Sequence, residues 1–261
     1  MRISVAATAP FGADVLERLA ARHDVEALLT RPDSRAGRGR KEAATPAKLV
    51  AQRLAIPVLQ PERPTAELDL PGDAVVVAAY GLLIPESLLA KGLWLNVHPS
   101  LLPRWRGAAP VERALLAGDE ETGVTIHETV KELDAGPIAA QRAFALSPED
   151  DAGTVYARSA ELAAELLHEV LPAPTFTPQE GEATYAAKIE AADRELDLSR
   201  PEESLNRIRA LSPHIGARGE LHGRRVTIWK ARLEAGELVP LEVQPEGGKR
   251  MPYEAWLRGL R

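Results

Sequence analysis

The chain of 261 residues is 45% hydrophobic and 27% charged, a balance that excludes a disordered or fibrous polymer and leaves room for one or two globular domains. Its 32 basic and 38 acidic residues give a net charge of -6, which argues against a protein basic over its whole surface but permits a local basic patch. Cys is absent, so disulfides, thiolate metal sites, iron–sulfur clusters and thiol nucleophiles are excluded.

The first two-thirds of the chain alternates β-branched runs with helical patterns, which predicts a Rossmann-like parallel sheet covered by helices. Strands are expected at Ile3 to Ala7, Val25 to Thr30, Ala74 to Tyr80 and Leu93 to His98, with helices at Ala13 to Ala21, Pro46 to Ala55, Pro85 to Lys91 and Pro110 to Ala117. Two adjacent strands follow, Gly123 to Val130 and Ile138 to Leu146, and the amphipathic helix Gly153 to Leu171 closes the unit. The stretch Leu171 to Lys188 carries three Pro and one Gly and reads as a linker. Beyond it, a helix at Pro201 to Leu211, antiparallel strands at Gly219 to Leu221, Arg225 to Leu233 and Leu238 to Val243, and a helix at Tyr253 to Leu260 are predicted. The division expected is residues 1–175, a linker at 176–196, and a small domain at 197–261. The start of the chain lacks a signal-peptide core, and its longest apolar run, Ala74 to Ile84, is well short of the about 20 residues of a membrane span. A cytoplasmic location, with no membrane partner, is expected.

The chemistry concentrates in LWLNVHPSLLPRWRG, Leu93 to Gly107. Asn96 and His98, two apart on a strand, point to one face, at the carboxyl end where open α/β sheets place their ligands. Asn-x-His alone is common and is also explained by capping of the strand. Further on, Asp134 lies in an Asp-x-Gly turn, and an Asp there can simply stabilise its own turn. Together the three supply an amide donor for a developing oxyanion, an imidazole titrating near neutrality and a carboxylate to orient or relay a proton, which suits acyl transfer to an amine.

These segments, NVHPSLLPRWRGAAP followed by ALLAGDEETGVTIHETVKELDAGPI, resemble the formyl-folate-dependent formyltransferases. The resemblance implies that Asn96, His98 and Asp134 are catalytic and that the cosubstrate is 10-formyltetrahydrofolate. It assigns the cosubstrate pocket to Tyr80, Gly81, Leu82, Leu83, Ser100, Leu101, Leu102 and Pro103. No metal is expected: the six His include no H-x-x-x-H pair.

The acceptor must be decided from other segments, because Pro99 stands where tRNA-directed members commonly have Gly and glycinamide-directed ones Pro. TRPDSRAGRGRK, Thr30 to Lys41, sets Arg31, Arg35, Arg38, Arg40 and Lys41 against one acid, Asp33, a local excess suited to phosphates. It resembles the loop with which tRNA-directed members hold the acceptor stem. EGEATYAAKI resembles their linker, and the carboxy-terminal unit resembles their OB-like β-barrel domain, here shorter, with the shortfall after about Ala235. The implied reaction is formylation of the α-amine of methionyl-tRNA, giving the initiator N-formylmethionyl-tRNA, by a monomer. The alternatives are the same chemistry on a small amine, a nucleotide sugar or glycinamide ribonucleotide, and a non-catalytic folate- or RNA-binding protein.

Overall fold

The structure, a computed structural model, describes residues 1–36 and 41–260. In chain order the elements are β1 (Arg2–Ala7), α1 (Pro10–Ala20), β2 (Asp24–Leu29), β3 (Ser34–Ala36), β4 (Lys41–Ala43), α2 (Pro46–Arg53), β5 (Val58–Leu59), β6 (Ala74–Ala78), α3 (Glu86–Leu89) and β7 (Leu93–His98). They continue with β8 (Arg106–Gly107), α4 (Pro110–Ala117), β9 (Glu121–Glu128), β10 (Ile138–Ala145), α5 (Ala152–Val170), β11 (Tyr185–Ala186), α6 (Pro201–Leu211), β12 (Ala217–Leu221), β13 (Arg224–Glu234), β14 (Glu237–Pro245), β15 (Met251–Pro252) and α7 (Tyr253–Arg258).

Seven strands form one sheet in the order β10-β9-β7-β6-β1-β2-β5. β1, β2, β5, β6 and β7 are parallel, and the β-branched runs of β1 and β6 are buried on both faces, as a helix-covered sheet requires. The sheet is mixed, not wholly parallel as the alternation of strands and helices suggests: β9 runs antiparallel to β7. That reversal sets His127 opposite Asn96 and Thr125 opposite His98. Helix starts follow local chemistry. Pro10 opens α1 three residues before the expected start, because Pro is preorganised for the first helical position. Thr45 caps α2 by accepting from the Lys48 backbone N–H at 3.1 Å.

The chain divides into two compact units. The first comprises residues 1–106, 123–143 and 157–184; the second comprises 107–122, 144–156 and 185–261. The predicted linker 176–196 is therefore shared between them at 184/185, and α4 belongs with the carboxy-terminal residues. In the second unit Val111 and Leu115 of α4 share a core with Ile208, Leu211, Val226, Ile228, Val243 and Trp256. Arg113 on the same helix donates to both carboxylate oxygens of Asp193, at 3.0 and 2.8 Å. The antiparallel sheet of this unit runs in the order β12-β13-β14-β15, with β15 only two residues long. Among the described residues no helix is long and apolar enough to cross a membrane.

Candidate active site

Asn96, His98 and Asp134 meet at the carboxyl end of β7. Asn96 and His98 lie on one face of β7 because they are two residues apart, and Asp134 reaches them from the turn after β9. That turn is tight: Asp134 has φ +49°, a left-handed conformation that Asp tolerates better than most residues. Gly136 next to it is required by space, since a Cβ there would lie 1.9 Å from the Glu128 carbonyl oxygen. The Asp-x-Gly pattern is thus the sequence trace of a turn pressed against the end of β9.

A fourth side chain joins the three. Asn96 Nδ2 donates to Asp134 Oδ1 at 3.2 Å and lies 3.0 Å from His127 Nε2. His127 Nδ1 is 2.8 Å from the Glu128 carbonyl oxygen, which only accepts, so Nδ1 carries the hydrogen and Nε2 presents a lone pair to Asn96. Both N–H groups of the Asn96 amide therefore have acceptors. His127 is 1% exposed. Sequence reasoning missed it, although it alternates with Thr125 on the strand that leads into the Asp-x-Gly turn.

His98 is 4% exposed, and its Nε2 lies 2.8 Å from the Trp105 carbonyl oxygen. The same logic places the hydrogen on Nε2, leaving Nδ1 facing Asp134 Oδ2 at 3.6 Å. Two acceptors thus face each other across a gap slightly too long for a hydrogen bond, and one added proton would be shared between them. Burial lowers the His98 pKa below 6.5, against the opposing pull of Asp134 and the Trp105 carbonyl, while His127 lowers it further. His98 is neutral at pH 7.

This shift has a thermodynamic consequence. Because the folded-state pKa lies below the unfolded value, the unfolded chain binds more protons in the window beneath pH 6.5. Stability from this group is complete above that pH and falls as pH drops through the window, by at most about 1.4 kcal/mol per unit. Denaturant titrations from pH 7 to pH 5 should show a steeper loss for wild type than for His98→Asn; equal slopes would remove His98 from the account.

The residues assigned to the cosubstrate pocket divide into two groups. Gly81 has φ +79°, and a Cβ added there would meet nothing among the described residues beyond its chain neighbours closer than Arg31 at 4.0 Å, while Leu83 is 81% exposed. Tyr80 is buried in a cluster with Leu29, Val77, Ile84, Leu88 and Trp94, and Leu82 packs against it. The Tyr80 hydroxyl is buried without a partner among the described residues, and burial raises its pKa to about 12. Ser100, by contrast, is fully buried and donates to the Arg104 carbonyl at 2.7 Å, so its hydroxyl holds the loop instead of facing a ligand. Leu102 is likewise structural: its N–H donates to Thr125 Oγ1 at 3.1 Å, and its carbonyl accepts from Gln141 at 2.9 Å. Leu101 and Pro103 are half-buried in the same loop.

Of the basic segment, Arg31 is exposed, and its carbonyl accepts from Gln60 at 2.8 Å. Arg35 and Lys41 lie on the paired strands β3 and β4, whose hairpin was not expected in so Gly- and Arg-rich a stretch. Arg38 and Arg40 lie outside the described residues. The segment is pinned at its base: the Thr30 and Thr45 hydroxyls are 2.9 Å apart, and Asp33 pairs with Lys48 at 2.6 Å and accepts from Gln60 at 2.7 Å. Those partners hold the Asp33 carboxyl below the usual carboxylate range. The one acid of the segment is thereby matched by a lysine outside it.

Comparison with known proteins identifies relatives of the chain. Residues 1–171 match the formyl transferase family. A methionyl-tRNA formyltransferase of Paracoccus denitrificans is 39% identical over an alignment 292 positions long, which covers 100% of this chain and 98% of that protein. Among solved structures, a methionyl-tRNA formyltransferase from Clostridium thermocellum shares the fold at TM-score 0.66 and 16% identity, covering 97% of this chain and 99% of its own. The HypX protein of Aquifex aeolicus, crystallised with tetrahydrofolic acid, superposes at TM-score 0.62 and 18% identity; the match covers 98% of this chain and 46% of that longer one.

Proposed function

Because the chain belongs to the formyl transferase family, we propose that it moves the formyl group of 10-formyltetrahydrofolate onto the α-amine of methionyl-tRNA, giving N-formylmethionyl-tRNA for translation initiation. The observation that carries the chemistry is the convergence of Asn96 and His98 on the Asp134 carboxylate, at 3.2 and 3.6 Å. The acceptor is supported by the likeness to methionyl-tRNA formyltransferases over the whole chain.

The cosubstrate supplies an activated formyl carbon, and in this reading Gly81 and Leu83 would hold its ring. Leu83, two residues after Gly81, exposes a large apolar side chain that suits contact with an apolar ring face. An α-amine has a pKa of about 7.7 to 8.0, so a useful fraction is already neutral near pH 7 and no strong base is needed. As the new N–C bond forms, Asn96 turns one of its two N–H groups from its resting acceptor to the developing oxyanion. The proton lost by the amine enters the gap between His98 Nδ1 and Asp134 Oδ2. It leaves for the aryl nitrogen when the bond from that nitrogen to the formyl carbon breaks.

In this reading the basic segment, Arg31, Arg35, Arg38, Arg40 and Lys41, grips phosphates of the acceptor stem. Reversing the charges of Arg38 and Arg40 should raise KM for methionyl-tRNA by about tenfold or more and flatten its salt dependence by about one unit of slope per lost phosphate contact. KM for the formyl donor should not change. Unaltered tRNA kinetics would favour the same chemistry on a small amine.

A further inference from the structure

We infer that Gln179, acting with Arg106, is a positioning residue for Asp134, and that the segment leading out of the first unit is a working part of the active site. The inference rests on the formyl-transfer reading above. Gln179 makes four hydrogen bonds that together fix its amide. Its Oε1 accepts from Arg106 Nε at 3.1 Å and from Arg106 Nη2 at 2.6 Å. Arg106 can only donate, so Oε1 is locked toward it, and Nε2 must point the other way. There it donates to the carbonyls of Asp134 and Gly136, both at 2.8 Å.

Those carbonyls flank the turn that holds Asp134 at φ +49°. A non-Gly residue in the left-handed region persists only where its surroundings hold it. The turn is held from one side by Gly136 against Glu128, and from the other by Gln179. The same segment runs beside the strand after the turn, where Ile138 and Thr177 exchange backbone hydrogen bonds of 2.7 and 2.9 Å. At its far end Thr184 Oγ1 accepts from the Trp105 N–H at 2.9 Å, and Trp105 supplies the carbonyl that receives His98 Nε2. One stretch of eight residues, 177–184, therefore holds the backbone behind both members of the His98–Asp134 pair.

Gln179→Glu separates positioning from packing. A carboxylate still accepts from Arg106 but offers nothing to the two carbonyls and repels them. The expected result is a folded protein whose kcat falls by about 100-fold, the loss that follows a misplacement of order 1 Å, with KM for both substrates nearly unchanged. In an Asp134→Asn background the same substitution should cost little more, because the group it positions is already disabled. Gln179→Leu, which keeps bulk and removes all four hydrogen bonds, should repeat the result if the Glu variant unfolds. Losses that add fully to those of Asp134→Asn, or that track a lowered melting temperature, would overturn the inference. Should wild type itself prove inactive on methionyl-tRNA, the ring resonances of His98 followed by NMR still decide: they should shift and titrate at lower pH in Gln179→Glu, and an unchanged spectrum would count against the clamp.

Discussion

Asp134→Asn is expected to leave a folded protein and to lower kcat by about 100- to 10,000-fold, the range usual for loss of a group that handles a proton in the transition state. The substitution is nearly isosteric, and the geometry says why the fold survives it. The amide oxygen can keep the Oδ1 position that accepts from Asn96 at 3.2 Å, and the amide nitrogen then faces the lone pair of His98 Nδ1 where Oδ2 now stands, 3.6 Å away. An Asn there turns a donor toward His98 Nδ1 where the Asp turns an acceptor, yet it cannot take a proton. The turn itself depends on Gly136 and on backbone carbonyls, neither of which changes. Single-turnover formylation, read beside a thermal melt, checks both halves. Near-normal turnover would remove Asp134 from the chemistry, and a collapsed melt would show that its carboxylate is structural.

Asn96→Ala is expected to cost about 100- to 1000-fold in kcat, as removal of one oxyanion donor does elsewhere. It differs from the first variant in leaving damage at rest. His127 Nε2 and Asp134 Oδ1 both lose the donor that satisfies them, within a site where His127 is 1% exposed. A stability loss of about 1 to 3 kcal/mol should therefore accompany the loss of rate. Denaturant titration separates the two effects. If stability fell while kcat held, Asn96 would be part of the scaffold for His127 and no more.

Much of this site is readable before folding, and the reason is local. Asn96 and His98 share a face because strands repeat every two residues, and the end of a parallel strand is where such sheets bind ligands. The Asp-x-Gly turn announces itself through the glycine that the Glu128 carbonyl demands. His127 and Gln179 are different. His127 meets Asn96 only because β9 runs antiparallel to β7 in one particular register, and nothing in either strand alone states that pairing. Gln179 sits in a proline-broken stretch that has no periodicity, and its role depends on four bonds to residues more than 40 positions away. The same limit explains α4. Its apolar stripe of Val111, Ala114 and Leu115 predicts a helix with one buried face, but not that this face joins the core of the carboxy-terminal residues. The β3–β4 pairing was hidden by composition, since the Ala, Lys and Glu that make up much of both strands are weak strand formers.

Formyl transfer to methionyl-tRNA at the Asn96–His98–Asp134 site leaves a mass signature on the amino acid. Purified protein is incubated with 10-formyltetrahydrofolate and methionyl-tRNA, the ester is hydrolysed, and the mass of the released amino acid is read. The expected product is methionine heavier by one formyl group in place of a hydrogen, formed in proportion to the tetrahydrofolate released, and formed at least about 100-fold more slowly with Asp134→Asn. Unmodified methionine from wild-type protein, with the formyl donor left intact, would contradict it.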